Sequence, residues 1–458
     1  MPWLDDASFG FFAVPAAFRL AQSPCYNEGR IYGMDISSGA AVPALLSDKH
    51  DKVNNPALYD QQPNMTVPFR VLDLCCAPGL KLCAIADYLS SPSPALQQQQ
   101  PENSVVVGVD VSEGRIAICK RIVQKYHVHP ETSGKTQEQS DKVGIRLYCG
   151  DGTTFGQPQE HPPPQPRNHD LQQPGANGLP NLVFDSETAI EENTVTGKRK
   201  RMNKSARARE RKRLKSLIAE DFIPGGESNN NQSQSDESKI KSGVWKAKQF
   251  DRVLVDAECS TDGSLKHIQK QMMSDVRNDN AIASKLVDDA KLAELVQLQK
   301  ELAANAFRLL KPGGLMVYST CSMSEDQNEN VVAWLLNEFV GSAFIVPVAF
   351  GNLSPSKAEP GHQDRITEGK YGVRFHPGAL PDKSDATDGD DMFYGGGFFL
   401  SKIGKMGTGS SDKQPDLMPF EEDDDDDDFK ELSPKRLVLK RAEHVSDASS
   451  SSDDESSA

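Results

Sequence analysis

The chain has 458 residues, 37% hydrophobic and 26% charged, with a formal net charge of −15. That apolar share is low for a wholly compact protein, so folded and polar unfolded stretches are expected side by side. No apolar run approaches the roughly 18 residues a membrane span needs, no basic leader opens the chain, and eight cysteines without a CxxC pair argue against a disulfide framework or a ribbon-type zinc site.

Residues 1–60 read as an extension ahead of the main domain, which is expected over 61–404. Residues 70–75 (RVLDLC) form a short apolar run, followed by Ala-Pro-Gly and a helical pattern over 80–89. A polar insertion rich in proline and glutamine follows at about 90–103. A β-branched run at 104–110 (SVVVGVD) precedes a helical pattern over 113–126, and a third apolar run covers 145–149. Residues 157–243 open with prolines and glutamines, close with asparagines and serines, and are expected to be disordered. The fourth strand is expected at 250–256 (FDRVLVD), a long amphipathic helix at 292–310, a fifth strand at 315–319 and a helix at 328–339. Segments 344–350 and 397–402 would complete the sheet. From 405 to 458 the chain reads as a disordered acidic tail, with fifteen acids and five bases between Asp416 and Ala458. Strands that alternate with helices and carry unbroken apolar runs point to an α/β fold, a mostly parallel twisted sheet with helices on both faces.

In such sheets, ligands bind beyond the carboxyl ends of the strands. The first strand leads into Cys75-Cys76-Ala77-Pro78-Gly79-Leu80-Lys81, where Gly79 lets the backbone approach a ligand. The second ends at Asp110, a carboxylate able to accept both hydroxyls of a ribose. The third leads to Asp151 and the fourth ends at Asp256. The glycines do not spell GxGxxG, so a pyrophosphate-bridged dinucleotide fits poorly. An adenosine cofactor without phosphate fits better, S-adenosyl-L-methionine being the obvious one. Taken singly, each aspartate reads equally well as a helix cap; taken as an ordered set, they read as a ligand site.

Two further blocks narrow the reading, Val255-Asp256-Ala257-Glu258-Cys259-Ser260-Thr261-Asp262-Gly263 and Tyr318-Ser319-Thr320-Cys321-Ser322. With the Cys-Cys-Ala-Pro-Gly-Leu-Lys loop they resemble the Sun/RsmB-type RNA cytosine-5 methyltransferases. The upstream segment from Gly29 through Asp35 to Ser38, and the downstream blocks from Val373 to Pro377 and from Gly396 to Lys402, are similar to that family too. The resemblance implies a Rossmann-like class I methyltransferase. Cys75, Cys76, Ala77, Pro78, Gly79, Leu80 and Lys81 would line the S-adenosyl-L-methionine site, Asp110 would hold the ribose, and Asp151 would sit by the adenine. Asp256 would lie between cofactor and target base, to orient or protonate it. Cys321 would be the nucleophile and Cys259 would assist product release. No metal is implied. The extension over 1–60 would then face RNA, and the partner would be transfer or ribosomal RNA, met by a monomer.

The chemistry asks for those residue types. Carbon 5 of cytosine is too electron-poor to accept a methyl group until a thiolate adds at carbon 6. A free thiol has a pKa of about 8.5, so the site must favour its ionised form. Glu258 replaces the proline that precedes the attacking cysteine in DNA cytosine-5 methyltransferases, and a carboxylate there disfavours a thiolate. That argues for Cys321 and against a DNA enzyme. Thr261-Asp262 departs from the family's usual Ser-Gly, which keeps a non-catalytic RNA assembly factor in view as a rival. Taken alone, any of these cysteines reads as a buried core thiol, and Cys25, Cys83, Cys119 and Cys149 keep that reading. Residues 198–215 (KRKRMNKSARARERKRLK) hold eleven bases and one acid. They suggest a nuclear-import signal first, hence nucleus or nucleolus with the cytoplasm as the alternative, and an RNA grip second.

Overall fold

The computed structural model describes residues 18–46, 69–90, 104–128, 143–157, 181–186, 204–224, 245–264, 289–348, 356–357, 366–376 and 396–407. The chain divides into two compact units, Met1–Ser410 and Ser411–Ala458. The second unit and most of the insertion at 90–103 lie outside the described residues.

In chain order the strands are β1 (Arg70–Asp73), β2 (Ser104–Asp110), β3 (Val143–Cys149), β4 (Asn181–Asp185), β5 (Phe222–Pro224), β6 (Trp245–Ala247), β7 (Phe250–Asp256), β8 (Leu310–Thr320), β9 (Ala343–Ile345), β10 (Ser356–Lys357), β11 (Ile366–Gly369), β12 (Gly372–Phe375) and β13 (Phe398–Lys405). The helices that position the site are α1 (Ala41–Leu46), α2 (Leu80–Ser90), α3 (Glu113–Val123), α4 (Lys204–Asp221), α5 (Asp289–Leu309) and α6 (Glu329–Glu338). The main sheet runs β10-β11-β12-β13-β8-β7-β1-β2-β3-β4, with β9 against β13. The central five, β8, β7, β1, β2 and β3, are parallel. On one side β13 enters antiparallel to β8, and on the other β4 runs antiparallel to β3.

Every residue of β2 is buried, which explains its unbroken β-branched run. Successive residues still alternate between faces, the period of two that a pleated strand imposes. Val71, Val106, Leu254 and Val317 join one core with α1, α2 and α3, whereas Leu72, Val107, Val253 and Met316 join the other with α5 and α6. Ser112 caps α3, its side chain accepting from the Arg115 N–H. Lys405 of β13 donates to the carbonyls of Phe307 and Leu310, satisfying orphan acceptors at the end of α5.

Three expectations need correction. Within the expected extension over 1–60, Ala41–Leu46 are wholly buried against the sheet, so that stretch belongs to the main domain. The stretch 157–243 is not all structureless. It contains β4, α4 and β5, the last paired with β6. Strand β8 starts at Leu310 rather than 315, passing through Lys-Pro-Gly-Gly with Gly313 at φ 76°, and its register against β7 shifts there. Polar composition hid the second point, since each of those elements meets an apolar partner supplied from elsewhere.

Candidate active site

The parallel strands bring Asp73, Asp110, Cys149, Asp256 and Thr320 to one edge of the sheet. The strand order reverses between β1 and β7, and the site sits at that switch point.

Beyond β1, the Ala77–Pro78 peptide is cis and Gly79 has φ 106°. Only glycine adopts that conformation without strain, and a Cβ there would lie 3.3 Å from the Cys119 Cα. Cys76 is buried 3.9 Å from the Cys119 sulfur, and burial raises the pKa of Cys75 well above the ordinary thiol range. Cys75 and Cys76 therefore pack rather than react. Asp73 is fully buried, and neither carboxylate oxygen has a hydrogen-bond partner among the described residues. Burial, then the nearby Asp256, push its pKa up to about 8, against the pull of Lys81. Asp110 is buried at the end of β2, accepts from the Ser112 N–H at 3.0 Å and lies 3.4 Å from Arg115. Asp151 is exposed beyond β3, and its Oδ1 accepts from the N–H (2.9 Å) and hydroxyl (2.8 Å) of Thr153.

Asp256 ends β7 as an acceptor on both oxygens. Lys81 Nζ donates to Oδ2 at 2.5 Å and Ser319 Oγ donates to Oδ1 at 2.9 Å. Lys81 also lies 5.6 Å over the Phe398 ring. Both carboxylate oxygens are therefore held in place, which fixes the aim of Asp256 beside Lys81.

Cys259 and Cys321 meet with their sulfurs 3.1 Å apart. Two thiolates at that distance would repel strongly, so the pair shares a proton. The Cys321 hydrogen bond lowers the pKa of Cys259, aided by the backbone N–H groups of Thr261 and Cys321 and opposed by burial. The same sulfur–sulfur bond, with burial, raises that of Cys321, while Lys81 pulls it down. The two sulfurs thus form one proton-sharing pair, in which either cysteine can be the donor.

Both cysteine loops are held from below. Gln327 accepts from the Ser260 N–H and donates to its hydroxyl, and Gln299 of α5 donates to the Glu258 carbonyl. Asn328 bonds Thr320 and the Ser322 carbonyl. Asp262 accepts from Ser260 Oγ and from the Met323 N–H, tying one loop to the other. Arg374 of β12 grips Glu329 with both ends of its fork and donates to the Met323 carbonyl. Gly263 bonds Cys321 and Gly397 through backbone, and Asp35 with Ser37 reaches Gly396. The upstream and downstream blocks therefore close on one site. Asp73, Ser319, Gln327 and Arg374 were missed as site residues. Asp73 ends a strand exactly where Asp110 and Asp256 end theirs, so the same strand-end rule would have found it; the others carry no local signal. No cluster suited to a metal occurs among the described residues.

A doubly wound parallel sheet with one antiparallel strand inserted beside β8, and a ligand site at its switch point, defines a Rossmann-like class I methyltransferase fold. Residues 199–379 match the family model for the 16S rRNA methyltransferase RsmB/F. The chain is 32% identical over 183 residues to ribosomal RNA small subunit methyltransferase F of Vibrio vulnificus, a match covering 39% of this chain and 32% of the relative. Against the same protein of Vibrio campbellii it is 40% identical over 97 residues, 21% of this chain and 18% of the relative. The chain spans about a third or less of the length of these curated relatives. Among solved structures, NSun6 from Pyrococcus horikoshii with SFG is 13% identical with a TM-score of 0.40, covering 86% of this chain and 56% of that one.

Proposed function

We propose that the protein transfers a methyl group from S-adenosyl-L-methionine to carbon 5 of cytosine in RNA, through a covalent cysteine adduct. The observation that carries this reading is the pair of sulfurs 3.1 Å apart beside the Lys81–Asp256 ion pair. A lone nucleophile would need no second thiol there.

The cofactor pocket fits the residues present. Asp73 offers a buried carboxyl without a partner, suited to the ammonium of an amino-acid moiety, and Asp110 suits a ribose. Residues Cys75 to Lys81 would line the space between them, with Asp151 the proposed neighbour of the adenine. Bound there, the cofactor supplies an electrophilic methyl group on sulfur.

Cys259 takes the proton of Cys321 as Cys321 adds to carbon 6 of the base. Negative charge then moves onto the ring edge, where Lys81 is the cation at hand. Asp256 orients the base by accepting from its exocyclic amine, the usual carboxylate partner of cytosine. A general base then takes the carbon-5 proton, the C–H electron pair re-forms the ring double bond and expels Cys321 as a thiolate, and Cys259 returns to it the proton taken earlier. This gives Cys259 a physical role in product release. The target is transfer or ribosomal RNA, and the base must leave its stack to reach the sulfurs. We place the protein, as a monomer, in the nucleus or nucleolus on the strength of the basic block.

The test is trapping with RNA containing 5-azacytosine. Cys321→Ala should abolish the covalent complex, and Cys259→Ala should accumulate an RNA-linked enzyme. A second reading makes Cys259 the attacker, favoured by its lowered pKa. An adduct that survives in Cys321→Ala and vanishes in Cys259→Ala would establish it. No methyl incorporation from labelled cofactor by the parent chain, with RNA binding intact, would favour an assembly factor instead.

A further inference from the structure

Helix α4 is not used by the chemistry above. Over residues 204–219 it carries seven bases and one acid, Glu210. Its remaining acids, Glu220 and Asp221, are committed to an anchor. Asp221 is buried and accepts from Arg70 at 2.9 Å, Arg146 at 2.9 Å and the Tyr148 hydroxyl at 2.6 Å. Glu220 also pairs with Arg146. Leu217 and Ile218 enter the core beside α5, and the Lys248 N–H closes on the Asp221 carbonyl. The helix is thus pinned to the folded domain by its last turn.

Upstream of that turn, Arg209 and Lys212 are exposed. Eighteen residues make a rod of about 27 Å. Its anchor reaches the amino ends of β1 and β7 through Arg70 and Lys248, and extends along β3 to Arg146 and Tyr148. From the β7 end of the anchor, the cysteine pair lies the length of β7 away, about 20 Å at 3.3 Å per residue.

We infer that α4 is a docked arm that grips RNA phosphates several nucleotides away from the reacting base. This rests on the reading of the protein as an RNA methyltransferase. The arm carries no aromatic residue, so it contributes electrostatic affinity rather than base stacking. It should act on long or structured substrates and leave a short oligonucleotide, which cannot span site and arm together, unaffected.

The test uses the full chain and the double variant Arg209→Gln, Lys212→Gln, which keeps helix formers at both positions. Binding is followed by fluorescence anisotropy across a salt series, with a hairpin of about 30 nucleotides and a single strand of about six. For the hairpin, the magnitude of the log–log salt slope should drop by about 2, one for each lost phosphate contact. KM should rise severalfold with kcat unchanged. For the six-nucleotide strand neither should move, and an unchanged thermal midpoint would show that the fold is intact. An unaltered slope with the hairpin overturns the arm while leaving the methyltransferase reading in place. Loss of nuclear accumulation with RNA binding intact also overturns it and assigns the helix to a protein partner. Failure of the parent chain to bind any RNA sinks the underlying reading instead.

Discussion

Two side-chain environments make the site testable without substrate. Cys259 is held toward its thiolate chiefly by the Cys321 S–H. Iodoacetamide should therefore label Cys259 before Cys321 at neutral pH, with a midpoint below the ordinary thiol value of about 8.5. Cys321→Ala removes the donor, so the midpoint for Cys259 should climb toward that value, and Cys321→Ser should restore part of the depression. Peptide mass mapping across pH reads this directly. Asp73 gives the opposite sign. Its pKa is pushed to about 8 in the fold, against about 3.9 in an unfolded chain. The native state then holds a proton that the unfolded state has already lost. Stability should fall as pH rises from about 4 to 8, by up to ~1.4 kcal/mol per unit. Asp73→Asn should flatten that slope in urea titrations at pH 5.5 to 8. Pairing with a cofactor ammonium would favour the carboxylate, so calorimetry should find proton release on cofactor binding and an affinity that climbs with pH over the same range.

The loops carrying the cysteines are stiff for reasons that involve several elements. Thr261 has φ 57°, a left-handed conformation costly for a β-branched residue. Its N–H supports the Cys259 sulfur, and the adjoining Asp262 clamps the loop to Met323. A glycine at 261 would adopt the same backbone without strain. Thr261→Gly should raise stability by about 1 kcal/mol, the relief of strain exceeding the added freedom of the unfolded chain. The thermal midpoint measures this, and the Cys259 alkylation rate in the same variant shows whether the loop keeps its aim. Behind these loops α6 and β12 meet through Glu329 and Arg374, so the Cys321 loop is braced from the antiparallel side of the sheet.

The two ends of the sheet do different work across the molecule. The carboxyl edge gathers the reactive groups, whereas an ion network that runs from Arg70 at the start of β1 to Arg146 and Tyr148 along β3, with Asp221 at its centre, joins a sequence-distant helix to the sheet. That network is buried, so removing one partner leaves uncompensated charge. Asp221→Asn should destabilise the domain by about 3–5 kcal/mol. Hydrogen exchange should then show α4 and β5 opening first, ahead of the parallel strands.

The succession of strands and helices, the glycine turn after the first strand and the cysteines that follow strands in the sheet were readable in the linear chain because each is a local signal: an apolar run, a glycine turn, a short motif at a strand end. The sequence by itself determined which residue types stand at the carboxyl ends of the parallel strands, since buried strands demand apolar runs and the chemistry falls where the runs stop. Only the tertiary structure decided that Lys81 pairs with Asp256, that Asp73 is left without a side-chain partner, that Ala41–Leu46 belong to the core, and that a basic helix inside a polar insertion is docked. Each of those depends on groups far apart in the chain becoming neighbours in a low-dielectric interior. There the strength of a charge, and the worth of an apolar face, are set by what lies opposite, and no window along the sequence contains both sides.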